Sequence, residues 1–254
     1  QLQNKDLDGF FEVYSMKTLS NEGIFSHYPV SDDLKEDARQ FTEKQTWLFQ
    51  ELLSMLRENG IDPGLAHIQN SYGILNYGDM GFDYCRPGLL YMGVTSDDAI
   101  PVVHELDFIP ALSLRTRVTM VKDLKPGQTV SYGRHYTAEK PVTIASLGIG
   151  YGDGLPRLIS NKGLTVLING QKARLTGNIC MDQCMADVTG LDVHPGDVVT
   201  IIGQDGDQRA TVDEITRLSQ SINNETFCRI TARVPRYFTG TGDAAGMRKG
   251  NHGS

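Results

Sequence analysis

The chain has 254 residues, 39% of them apolar, with 24 Lys and Arg against 31 Asp and Glu for a formal net charge of −7. That length buries a substantial core as one large domain or two ordinary ones, and scattered basic residues in an acidic chain exclude a surface that neutralises nucleic-acid phosphates. No apolar run approaches the roughly 18 to 20 residues needed to cross a bilayer, so the chain as given reads as soluble, with any membrane anchor placed in an upstream segment.

From residue 1 to about 100, helix and strand patterns alternate. Gln1 leads almost directly into "LDGFFEVYSMKTL", a helix candidate with no initiator Met, which reads as a start inside a domain. "EGIFSHY" follows as a short buried strand. Residues 32–59 are predicted as a long helix in which Phe41, Leu48, Leu52, Met55 and Leu56 recur at helical spacing and Gly60 provides the stop. "LAHIQN" is a second strand, Ser71 is placed to cap the short helix after it, and "YCRPGLLYMG" is a third strand. Strands separated by helices imply a parallel sheet, here too few strands to close a barrel.

From about residue 110 the period becomes two. "LSLRTRVTM" places Leu112, Leu114, Thr116, Val118 and Met120 on one face, and "LTVLINGQKARL" carries Asn169-Gly170 between two strand runs, a strong hairpin signal. A third strand pair surrounds Asp205-Gly206. One helix interrupts this half, with Thr211 and Glu214 in capping-box spacing and Val212, Ile215, Leu218 and Ile222 as its buried stripe. The fold class is therefore α/β plus β, the C-terminal part of a (β/α)8-like barrel followed by a mostly antiparallel β domain. The divisions are residues 1–105, residues 106–238, and a disordered or vector-derived tail over 239–254.

Several motifs carry chemistry. His27 lies at the C-terminal end of the first parallel strand, where barrel active sites collect. Ser71 ends the next strand, and Arg86 with the amides of Gly88 and Leu89 follows the third. Hydroxyl and amide donors suit a phosphate. "LGIGYGDGLPR" fails as a phosphate loop, because its glycines alternate strictly and no obvious helix follows Pro156. Cys85, Cys180, Cys184 and Cys228 are too few and too irregular for a disulfide scaffold, and Cys180-x3-Cys184 lacks a second ligand pair for zinc. They read as free thiols in a reducing compartment, with no metal site.

"GIFSHYPVSDD", "NSYGIL", "CRPGLLYMG", "VSYGRHYTAEK", "IGYGDGLPR", "GNICMDQCMADVT" and "RVPR" occur in the order and approximate spacing of the alanine racemase family, which the chain resembles over residues 20–238. The resemblance implies a pyridoxal-phosphate enzyme built from a barrel domain and a β domain. It implies that Tyr132 exchanges a proton with the substrate Cα, that His27 is its hydrogen-bond partner, and that Arg86 bonds both this histidine and the cofactor's ring nitrogen. Ser71, Gly88 and Leu89 match phosphate ligands. Tyr151 and Asp182 match residues near the site entrance, and Met181 matches a backbone donor toward the substrate carboxylate. Tyr132 belongs to the neighbouring subunit's site in this family, which implies a head-to-tail homodimer acting on a small amino acid.

Two departures from the family pattern stand out. The cofactor-anchoring lysine, in a "VKANAYGHG"-like segment, has no counterpart among Lys5, Lys17, Lys35, Lys44, Lys122, Lys125, Lys140, Lys162, Lys172 and Lys249. The arginine that usually contacts the substrate carboxylate is missing with it, so the chain is expected to be inactive alone. Asn224 stands where these racemases generally carry a tyrosine that narrows the pocket. An amide there opens space and offers hydrogen bonds to a substrate hydroxyl, so serine is the expected substrate and alanine a secondary one. This is similar to the serine racemase domains of vancomycin-resistance clusters, whose full-length members are anchored in the membrane and supply D-amino acids for the cell wall. The competing readings are a plain alanine racemase, and a non-catalytic remnant that binds a partner through its β domain.

Overall fold

The structure is a computed structural model that describes residues 8–239. The first seven residues, and the expected tail from Gly240 onward, lie outside the described residues.

The α/β part runs α1 (Asp8–Ser15), β1 (Gly23–Phe25), α2 (Glu36–Glu58), β2 (Leu65–His67) and α3 (Ser71–Tyr77). β1 and β2 pair in parallel, with Ile24 opposite Ala66. α2 starts later than its periodicity predicts. Lys35 is extended, and its amide donates to the Asp33 carboxylate at 3.0 Å, which holds the preceding turn open. The buried face of α2 is also rotated from the predicted stripe: Thr42, Thr46, Phe49, Leu52, Leu53 and Leu56 face inward, while Phe41 is 45% exposed. Two threonines sit in this core; the hydroxyl of Thr46 is satisfied, whereas that of Thr42 is buried without a partner. Thr46 donates to the Thr42 carbonyl at 2.8 Å and shares a 2.7 Å hydrogen bond with the buried Tyr28 hydroxyl.

The expected third strand is not formed. Tyr84 makes a single parallel bridge to His67, Pro87 has no N–H to extend a ladder, and the chain then coils into a 3-10 turn over Leu89–Met92. Gly93 ends that turn at φ 69°, packed so closely on the Ile109 carbonyl that a side chain would collide with it.

The β domain contains β3 (Leu114–Leu124), β4 (Thr129–Val130), β5 (Tyr136–Thr137), β6 (Val142–Leu147), β7 (Thr165–Ile168), β8 (Gln171–Thr176), β9 (Cys184–Asp187), β10 (Val198–Asp205) and β11 (Gln208–Ala210). The main sheet has the order β11-β10-β3-β6-β9-β8-β7, and β10 pairs again with β7, so six antiparallel strands close on themselves. Leu147, Ile149, Val166, Ile168, Leu175, Val199 and Ile201 fill the interior. β4 and β5 form a separate small ribbon.

The predicted Asn169-Gly170 turn is present. Both residues have positive φ, 51° and 73°, as a two-residue turn matching strand twist requires. The predicted face of β3 fails at Met120, which is 50% exposed. A bulge between Val118 and Met120 shifts the alternation by one, so that Val121 packs on the main core instead, while Leu124 faces a separate cluster with Ala138, Val142 and Ile144.

α4 (Val212–Ser219) and α5 (Asn223–Arg229) pack on the closed sheet. The predicted capping box is not made: Thr211 forms no side-chain cap, and Glu214 accepts from Thr165 Oγ1 at 3.3 Å. Ile222 lies outside the buried stripe because α4 stops at Gln220, which takes the left-handed conformation with φ 55°. Asn223, fully buried, ties α5 to the α/β part by donating to the Thr95 carbonyl at 2.9 Å, while its backbone N–H donates to the Ser96 carbonyl.

Leu147 is fully buried where β6 lies between β3 and β9. Leu147→Ala should cost about 2 to 5 kcal/mol through lost contacts and an unfilled cavity. Urea unfolding should show a lower midpoint with an unchanged slope.

Candidate active site

Arg86 organises the end of the parallel strands. Its guanidinium donates to the carbonyls of Ser26 (2.6 Å), His67 (3.2 Å) and Ile68 (3.4 Å), to His27 Nδ1 (3.1 Å), and to His67 Nδ1. It also lies over the Phe25 ring at 5.2 Å, and that ring stacks on His67 at 5.5 Å. Arginine has only donors, so both imidazoles accept at Nδ1 and carry their proton on Nε2. For His27 this leaves an N–H donor at the strand end. Burial lowers the Arg86 pKa, and burial followed by the Arg86 charge lowers that of His67. His67 is the site residue that sequence reasoning missed. Its strand-end position beside His27 and Arg86 was the available signal.

Ser71 does not cap α3. Asn70 does, its side chain accepting from the Gly73 amide at 2.8 Å and donating to the Tyr28 carbonyl at 3.2 Å. Ser71 is left as the first helical residue, and its hydroxyl accepts from the Gly88 amide at 2.9 Å. Ser71 and the Gly88–Leu89 turn are thus adjacent, as a phosphate cradle requires: a hydroxyl and backbone N–H groups close together with no side chain at Gly88 to block access.

A second cluster lies on the β domain. The amides of Tyr151 and Gly152 donate to the carbonyls of Cys180 (3.0 Å) and Met181 (2.8 Å), which join the two loops. Arg233 binds the Asp182 carboxylate and reaches Asp153 at 3.5 Å, and these two anions raise the Arg233 pKa. After Pro156, where the sequence shows no obvious helix, the chain makes only a short 3-10 turn, Arg157–Ile159. Burial pushes the Cys184 thiol up to about 12, so it is an inert core group.

Tyr132 belongs to this second cluster. Its ring is 73% exposed, and it opens a 3-10 turn over Tyr132–Arg134 between β4 and β5. Ser131 before it sits at φ 69°, ψ 167°, a region nearly reserved for glycine that costs on the order of 1 to 3 kcal/mol. Gly133 and Arg134 also have positive φ. No hydrogen bond among the described residues joins Tyr132, Tyr151, Met181 or Asp182 to His27, Arg86 or Ser71.

Asn224 is the second residue of α5 and caps nothing. Its Oδ1 is buried without a partner, as is that of its neighbour Asn223, whose Nδ2 donates to Asp213 at 2.6 Å. No helix among the described residues is long and apolar enough to cross a membrane.

The paired positions of Arg86 and His67 have a pH consequence. Because folding lowers the His67 pKa below its ordinary 6.5, the folded state prefers the neutral ring. The associated stability is present above pH 6.5 and is lost as pH falls through the depressed value. An NMR titration should give His67 a midpoint below 6.5 that moves back up in Arg86→Ala. An unmoved midpoint would leave burial as its only cause.

Residues 111–238 match the family described as "Alanine racemase, C-terminal domain", and residues 3–96 match "Alanine racemase, N-terminal domain". Alanine racemase 1 of Clostridium acetobutylicum is 37% identical over 95% of this chain and 62% of its own length. An amino-acid racemase of Enterococcus faecalis is 34% identical, covering 88% of this chain and 31% of that protein. The crystal structure of the Bacillus anthracis alanine racemase with bound L-Ala-P superposes with a TM-score of 0.84 at 33% identity, over 94% of this chain and 60% of that one. The chain thus spans about three fifths of these alanine racemases, and with both family domains matched in their order it belongs to the alanine racemase family.

Proposed function

We propose that this chain, residues 1–105 as part of a barrel and 106–238 as a β domain, is the larger part of a pyridoxal-phosphate-dependent amino acid racemase. The observation that carries this reading is the exposed Tyr132 on a strained turn, in a chain whose His27–Arg86 pair stands elsewhere. Strain of this kind persists where the surroundings over-determine it, as at active sites.

The residues present fit the cofactor. Ser71 and the amides of Gly88 and Leu89 would hold its phosphate, and the Arg86 guanidinium would face its ring nitrogen. When bound, pyridoxal phosphate delocalises the charge left on the substrate Cα by proton removal. The chain's own residues then move the proton. His27, with Nδ1 bound to Arg86, presents its Nε2–H to the Tyr132 phenol of a second copy, and this hydrogen bond favours the base form of the tyrosine. Met181 and Asp182, beside Tyr151, would line the entrance from the same copy as Tyr132. This arrangement is a head-to-tail homodimer in which each copy lends a tyrosine. No lysine of the chain matches the anchoring position, so the 254-residue chain alone is proposed to be inactive.

Mixing tests the shared site. Full-length Tyr132→Phe and Arg86→Ala proteins, each inactive, should regain about a quarter of wild-type activity when dissociated and reassociated, because half the dimers are mixed and each has one intact site. No recovery would exclude a shared site.

Serine is the proposed preferred substrate and alanine the secondary one, as in the racemases of vancomycin-resistance clusters that supply cell-wall D-amino acids. The unpartnered, buried Oδ1 of Asn224 is an acceptor for a substrate hydroxyl, and the relative named for amino acids at large agrees with a broader pocket. Asn224→Tyr should shift relative kcat/KM toward alanine by about tenfold or more. An unchanged ratio would favour a plain alanine racemase.

A further inference from the structure

We propose that Asn178, acting with Ser131, is the positioning residue that aims the Tyr132 phenol, an inference that rests on the racemase reading. The Tyr132 ring is too exposed to be held by packing within its own chain, so its direction is set through its backbone. Two consecutive residues are gripped by one. Asn178 Nδ2 donates to the Tyr132 carbonyl at 2.9 Å, and the Asn178 backbone N–H donates to Ser131 Oγ at 2.9 Å. Two bonds from one residue, to the side chain before Tyr132 and to the Tyr132 carbonyl, bracket the Tyr132 backbone and with it the Cα–Cβ direction of the tyrosine.

The grip is itself fixed from behind. Asn178 Oδ1 accepts from Asn161 Nδ2 at 3.3 Å, which orients the amide so that its N–H faces Tyr132. The next amide, Ile179, donates to Ser160 Oγ at 3.0 Å, and Ser160 donates to the Arg157 carbonyl at 2.6 Å. Gly177 completes the fit, since a Cβ there would meet Ser131 Oγ at 2.7 Å and Ser131 Cβ at 2.8 Å. Ser131 therefore lies flush against the loop, and its glycine-like backbone is the conformation that this contact requires. The same loop continues into Met181 and Asp182, so the base and the entrance residues move as one unit.

The phenol oxygen stands at the end of a long lever. A tilt of a few degrees at the Tyr132 backbone displaces it by several tenths of an ångström, and errors of about 1 Å in such placements cost on the order of a hundredfold.

Asn178→Asp is the discriminating variant. It keeps the shape and the acceptor toward Asn161 while deleting the donor to Tyr132. In the full-length protein loaded with pyridoxal phosphate, it should lower kcat by ~10- to 100-fold with little change in KM. The enantiomers of one amino acid are equal in free energy, so their kcat/KM values must remain equal, and loss in one direction alone cannot occur. The α-deuterium isotope effect can differ, and it should rise only for the enantiomer whose proton Tyr132 removes. Amide hydrogen exchange over residues 129–137 should accelerate at least tenfold while that of β6 and β9 does not. Wild-type isotope effects with wild-type exchange would overturn the proposal.

If Asn178→Asp does not fold, Ser131→Gly takes its place, because glycine accepts this backbone without strain and the hydroxyl grip is lost. The same one-sided isotope effect is expected, and its absence counts against the proposal equally. A wild-type protein that racemises no amino acid would sink the racemase reading instead, and the exchange data would still decide whether Asn178 holds the turn.

Discussion

A guanidinium with five donors and no acceptor constrains the end of the parallel strands. Around Arg86, every group that it hydrogen-bonds has to present a lone pair. The carbonyls of Ser26, His67 and Ile68 do so because β1 and β2 end beside one another, and the two histidines do so by adopting one tautomer. Moving either strand end would leave a partly buried cation short of acceptors, a larger penalty than losing an ordinary hydrogen bond. The ion therefore records the register of the strands. Its always-protonated state also keeps the His27 proton on the nitrogen that points away from it.

The β domain solves a different problem. Closing six strands removes sheet edges and leaves loops with little freedom at their bases. Three such loops, around residues 131–134, 150–154 and 177–182, are bonded to one another by backbone groups and short side chains. An exposed tyrosine at the edge of this cluster gains definition from its scaffold without being buried in it. The two parts of the molecule are joined at α5, where Asn223 turns what would be two orphaned carbonyl groups of the 94–97 segment into accepted hydrogen bonds.

Much of this was legible in the sequence where one local rule acts alone. Asn169-Gly170 has essentially one good use between two strand runs, and it is used that way. His27 and Ser71 follow β1 and β2 as period and punctuation placed them, whereas Arg86 follows a single bridge and not the third strand that the pattern predicts. The predictions that failed did so where two local rules compete or where tertiary partners decide. Asn70 outcompetes Ser71 as the cap because its longer side chain also reaches the Tyr28 carbonyl. The α2 stripe rotated because Tyr28 satisfies Thr46, which makes a polar position a core position. Met120 faces outward because a bulge is invisible to simple alternation. Pairing between Asn178 and Tyr132, 46 residues apart, has no periodic signature at all.

The hairpin between β7 and β8 has one more consequence, for the chemical ageing of the protein. An asparagine followed by glycine is the sequence most prone to deamidate, because the glycine nitrogen attacks the side-chain carbonyl to close a cyclic imide. Here the Gly170 N–H is engaged by the Asp205 carboxylate at 2.9 Å, and the Asn169 amide is held by Asp197 at 3.1 Å. The attacking nitrogen is occupied and its target is turned toward another partner. The folded state therefore shields the most labile dipeptide of the β domain, and deamidation at Asn169 marks molecules that have opened this end of the sheet.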